Sequence, residues 1–211
     1  MTLLKWVLPL LFVAFAGCAH PASEYDAEQS QPRAEKYELR PITVARYLRY
    51  LQYKKELGPP LPGAPEIAIT RQSIVENTCG ARVIHAVGEH FGSEWDLDEI
   101  TAEVMSTHPQ GTSVTAIVKW FEDKGYGNIH YYFGNRDVEE FRKRLDEGCL
   151  IIPLIYSFRD GYGPNHYVVL THYSETHFNA LDSRIGEYSV RSDLFTSRLV
   201  LVQGNWVAVR P

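Results

Sequence analysis

The sequence predicts an α+β domain, with helices in its first half and a sheet of short antiparallel strands in its second. Three observations lead there. Apolar residues between Cys79 and Glu147 recur at intervals of three and four, the period of a helix face. From Cys149 onward they fall into short runs punctuated by turn residues, the signature of strands. Helices first and strands later separates the chain from an alternating βαβ fold. The composition agrees: 211 residues, 45% apolar and 22% charged, match an average globular domain with room for an extension.

The extension comes first. Met1 to Gly17 holds one Lys and then an apolar run from Trp6 to Ala16. That run spans about 16 Å of helix against about 30 Å of hydrocarbon, so it is read as a signal-peptide core and not as a membrane span. Ala19 to Arg40 is polar and poor in branched apolar residues, the composition of a flexible tether. Pro41 to Leu57 places Val44, Tyr47, Leu48 and Leu51 at helical spacing, and the tyrosines at 47, 50 and 53 are read as packing or surface residues. Gly58 to Pro65, with four prolines, is a loop, and Glu66 to Thr70 is expected to be a short strand. The resulting division is 1–17 signal peptide, 18–40 tether, 41–65 helix and proline-rich connector, and 66–211 main domain.

Within the main domain, Val83, Ile84, Val87 and Phe91 mark a helix from Cys79 that stops at Gly92. Asp96-Leu-Asp-Glu99 resembles a capping box and opens a second helix reaching about Met105. Thr112 or Ser113 caps a third, carrying Ile117, Val118, Trp120 and Phe121 and ending at Lys124-Gly125. A strand over Asn128 to Phe133 and a helix over Asp137 to Glu147 follow. Cys149 to Tyr156 is nearly all apolar, as in a buried strand. His166–Tyr173, Phe178–Leu181, Leu199–Val202 and Trp206–Val209 complete the expected strands.

Charge and cysteine usage narrow the function. A net charge of −5 without a long basic run argues against nucleic acid as a partner, since phosphate binding relies on clustered Lys and Arg. Three cysteines are too few for a disulfide scaffold. A Cys79–Cys149 bridge is weighed, but Cys149 sits in an apolar run and reads better as a small buried hydrophobe. His85 and His90 do not share a helix face, and the His166/His172 pair has no acid or thiol to complete a ligand set, so no metal site is expected.

Three residues carry candidate chemistry. Cys79 stands in the first turn of its helix, where the partial positive charge of the N-terminus favours a thiolate. The adjacent Gly80 removes bulk beside the sulfur, which suits close approach of a substrate carbonyl. His166 begins an apolar strand after a glycine-rich loop, Ser157 to Pro164, a candidate lid. Asp182 ends the next strand, which in an antiparallel hairpin lies opposite the start of its partner. Cysteine, histidine and acid in that order supply nucleophile, base and orienter.

These residues carry two resemblances. Phe15-Ala16-Gly17-Cys18 resembles the lipobox of bacterial lipoproteins. This implies cleavage before Cys18, acylation of Cys18, and attachment to the cell envelope, with Ala19 favouring the outer membrane facing the periplasm. From about Ile67 to Val209 the chain resembles the double-glycine leader peptidase-like branch of the papain-fold cysteine peptidases. The matching residues are Gln72, Thr78-Cys79-Gly80-Ala81, Phe91-Gly92, Gly111-Thr112-Ser113, Gly148 to Pro153, Asn165-His166-Tyr-Val-Val-Leu170 and Leu181-Asp182. The resemblance implies a papain-like fold, N-terminal helices packed on a C-terminal antiparallel sheet. By the same likeness Cys79 is the nucleophile, His166 the general base and then acid, and Asp182 the residue orienting His166. Gln72 and the Cys79 N–H would form the oxyanion hole. Two positions depart from the family's usual proline: Ala81-Arg82 after the Cys-Gly pair, and Ser183 after Asp182. The implied activity is hydrolysis of a peptide or protein substrate through a thioester, with no metal or organic cofactor. The alternative from another class is an idle papain-fold lipoprotein that binds peptide or cell-wall material as an adaptor; the sequence names no protein partner.

Overall fold

The computed structural model describes residues 51–72, 77–105, 111–156, 165–200 and 203–211. The signal peptide, Cys18, the tether, most of the Pro41–Leu57 helix and the Ser157–Pro164 loop lie outside them. After a helical stretch at residues 51–55, the order is α1 (Cys79–His90), α2 (Leu97–Val104), α3 (Val114–Asp123), β1 (Asn128–Tyr132), α4 (Val138–Asp146), β2 (Leu150–Tyr156), β3 (Asn165–Tyr167), β4 (Val169–Tyr173), β5 (His177–Asp182), β6 (Gly186–Arg191), α5 (Ser192–Val200) and β7 (Trp206–Arg210).

Local signals set the helix ends. Asp96 accepts from the N–H groups of Asp98 and Glu99, Ser113 from that of Ala116 and Asp137 from that of Glu139, each satisfying donors that a helix start leaves unpaired. Gly92 and Gly125 take φ of 79° and 84° just beyond α1 and α3, a left-handed turn that is inexpensive only for glycine.

The strands form one antiparallel sheet in the order β1-β7-β2-β4-β5-β6, with β3 also paired to β2. Leu150 and Ile152 face a core shared with α1, α2 and α3, while Ile151 and Ile155 face a second core with Phe141 of α4 and Phe195 and Leu199 of α5. The apolar run at Leu150–Tyr156 therefore reflects a strand covered on both faces. The sheet carries helices on both sides, not only the N-terminal ones.

Four expectations need correction. Residues 66–70 form no strand; Ile67 is buried in the first core, but the backbone has no ladder partner there. The strand expected at Leu199–Val202 is instead the end of α5, whose Leu199 is drawn into the second core; residues 201–202 lie outside the described set. The strand β6 was not anticipated. His166–Tyr173 is two strands, broken at Val168, because β3 and β4 pair with different stretches of β2.

Residues 51–61 belong to the same compact unit as the sheet. Tyr53 is buried in the second core, Gly58 exchanges two backbone hydrogen bonds with Ser189 of β6, and the Leu61 N–H donates to Asn179 Oδ1 at 3.0 Å. The connector thus covers the β6 edge, which would otherwise expose unpaired backbone groups.

Candidate active site

Cys79 is the first residue of α1, packed into the first core and reduced, as is Cys149. Gly80 has a different reason from the one its sequence context suggested. A Cβ there would lie 2.3 Å from Thr112 Cβ, so the missing side chain lets α1 press against the loop that leads into α3. Gly88 does the same further along α1, where a Cβ would meet the Trp95 ring at 2.4 Å. The nucleophile candidate is therefore held by helix packing.

His166 and Asp182 come from strand ends. The β2–β3 register sets His166 opposite Ile155, and the β4–β5 register sets Leu181 opposite Val169. Both residues are almost fully buried, and His166 Nε2 lies 2.8 Å from Asp182 Oδ1. Asp182 Oδ1 also accepts the Arg184 N–H at 2.7 Å. With Nε2–H committed to the carboxylate, Nδ1 is the nitrogen left to take a proton. Among the described residues it has no hydrogen-bond partner, sulfur included, while the Cys79 thiol acts on the protonation of the ring.

The electrostatics follow from that arrangement. Burial alone would push the Cys79 thiol up, but the His166 imidazole and its charge, the Tyr167 backbone N–H and the Arg184 charge together bring it below its ordinary value. Burial likewise opposes a charged imidazole; Asp182 and then Cys79 outweigh it and raise His166 to about 9. Asp182 is held below the usual carboxylate range despite burial, by His166, the Arg184 N–H and Arg198. Thiolate, imidazolium and carboxylate thus stabilise one another in sequence.

Gln72 is buried next to this group. Its N–H donates to the Ser183 carbonyl at 2.9 Å, and its Oε1 accepts from the Ser183 hydroxyl at 2.9 Å. Asp182, the last residue of β5, and Ser183, the first of the following turn, therefore hold the histidine and the glutamine respectively. Sequence reasoning treated Ser183 only as a departure from proline; a hydroxyl directly after the candidate acid was the available signal. The packing of Thr112 against Gly80, the Tyr167 N–H beside Cys79 and the burial of Arg198 have no such signal, because they arise from packing that no local pattern displays.

A reduced cysteine at a helix start, a buried His–Asp pair and a helix-covered antiparallel sheet define the class of papain-like cysteine peptidases. The chain belongs to the Peptidase C39 family, whose pattern matches residues 67–200. It is similar to a protein described as a C39-like peptidase from Bacillus anthracis, at 13% identity and a TM-score of 0.54 over 70% of this chain and 98% of the other. It is also similar to a double glycine motif protease from an AMS/PCAT transporter, solved in complex with the leader peptide, at 15% identity and a TM-score of 0.53 over 72% and 98%. No curated protein matches the sequence.

Proposed function

We propose that this cysteine peptidase cleaves peptide bonds with a Cys79–His166–Asp182 triad, as a lipoprotein of the bacterial cell envelope. The observation that supports the triad most strongly is the 2.8 Å His166–Asp182 contact, with the depressed Cys79 thiol acting on the same ring. His166 Nδ1 takes the thiol proton and the sulfur attacks the substrate carbonyl. The oxyanion is met by the Cys79 N–H and the Gln72 side-chain amide, whose carbonyl end is already engaged by Ser183. The imidazolium then protonates the leaving amine, and water, deprotonated by His166, releases the acid from the thioester.

A peptide substrate is supported by the leader peptide bound to the transporter protease of the same fold. The envelope location rests on the lipobox-like Phe15-Ala16-Gly17-Cys18. Profiling the full chain on a peptide library tests the activity: cleavage that disappears in Cys79→Ala supports it, and undiminished cleavage rejects it. Incorporation of labelled fatty acid, lost in Cys18→Ser, tests the anchor.

A further inference from the structure

Arg198 of α5 is only 3% exposed, although a guanidinium is costly to bury unless a counter-charge and hydrogen bonds compensate it. Among the described residues it is the only buried Lys or Arg, and Asp182 is the only buried carboxylate. Its Nε donates to the Tyr156 carbonyl at 2.8 Å, and its guanidinium lies over the Tyr53 ring at 4.1 Å. Tyr53 in turn donates to the Tyr188 hydroxyl at 3.3 Å.

The sheet register places these anchors around the site. Tyr156 is opposite Asn165, one residue before His166. Tyr188 is opposite Ala180, and Asp182 lies two residues further along the same face of β5. Arg198 therefore reaches the β2–β3 strand end beside His166 from the side of the second core, whereas Cys79 packs in the first. Its charge acts on Asp182, Tyr53 and Tyr188.

We propose that Arg198 is a positioning residue that holds the Asp182 carboxylate toward His166 from behind, with Tyr53 sealing it from water. The inference rests on the triad reading above. It makes the site a line of four alternating charges, Cys79, His166, Asp182 and Arg198, and gives a role to Tyr53, which lies outside residues 67–200 of the family match. The titratable or charged groups around this line are Tyr53, Tyr188, Arg184 and the Tyr167 hydroxyl.

The sign follows directly. Loss of the Arg198 charge takes a cation out of the line, so both of its anions, the Asp182 carboxylate and the Cys79 thiolate, take up a proton at higher pH. The test is the pH profile of iodoacetamide alkylation at Cys79, read by mass spectrometry on the full chain. In Arg198→Met the acid limb should move up by about 0.5–1 pH unit, slowing alkylation on that limb about three- to tenfold. Arg198→Lys, which keeps the charge, should restore the wild-type limb. A folded Arg198→Met with the wild-type limb overturns the proposal, as does a Lys variant displaced as far as the Met variant. If Arg198→Met does not fold, Arg198→Gln carries the same comparison. A wild-type Cys79 that titrates as an ordinary thiol would instead defeat the triad reading itself, which keeps the two failures distinct.

Discussion

The two faces of the sheet are built on different physics. Beneath α1, α2 and α3 the core is apolar and tightly interlocked: Val83, Ile84 and Val87 meet Ile117 and Phe121, and Trp95 packs edge-on to Trp120. That face delivers Cys79. The opposite core joins Phe141, Phe178, Phe195 and Trp206 to a buried polar line running Tyr188, Tyr53, Arg198. The pair proposed to act with the sulfur, His166 and Asp182, sits on β3 and at the end of β5. The place of the proposed nucleophile should therefore respond to volume, and that of its proposed partners to charge.

Four substitutions break or sharpen that contrast. Cys79→Ala should lower peptide hydrolysis by about 10³-fold or more with an unchanged near-UV circular dichroism spectrum, since removing a nucleophile leaves only the remaining site. Asp182→Ala should cost about 10²–10⁴-fold in kcat, measured on the same substrate, through loss of the imidazole's orientation and counter-charge. Gly80→Ala tests the packing side: Thr112 must yield, so denaturant unfolding should show a loss of about 1–3 kcal/mol, alongside reduced alkylation of Cys79. Asp96→Ala removes only a helix cap remote from the polar line. It should cost about 1 kcal/mol in stability and leave the Cys79 pH profile in place.

The same contrast explains what the sequence made legible. Caps at Asp96 and Ser113, stops at Gly92 and Gly125 and the period of α1 and α3 are local signals, so the helical half is readable residue by residue. Cys79 stands out for the same reason, as a thiol at a helix start. The sheet half depends on partners far along the chain. Leu199 is apolar enough for a strand, yet α5 forms because its apolar face closes the second core. The pairing of His166 with Asp182 was anticipated from hairpin geometry. Its realisation uses two strands, β3 and β4, where one was expected. Arg198 was illegible because a cation behind a carboxylate leaves no periodic trace, and Ser183 offered only the local signal of a hydroxyl directly after the candidate acid.

Charge coupling also sets the pH behaviour. His166 has a raised folded-state value, so its contribution to stability is fully present below about 6.5 and is lost as pH rises through about 9. Catalysis should be bell-shaped, with an acid limb from the lowered Cys79 thiol and a basic limb near 9 from His166.

The most direct test of the mutual stabilisation of Cys79, His166 and Asp182 is an NMR titration of the His166 ring, assigned by loss of its signal in His166→Gln. A protonated ring persisting until about pH 9, and titrating lower once Cys79 is replaced by Ala, is the expected result. A ring that titrates near 6.5 whether or not the thiol is present would contradict it.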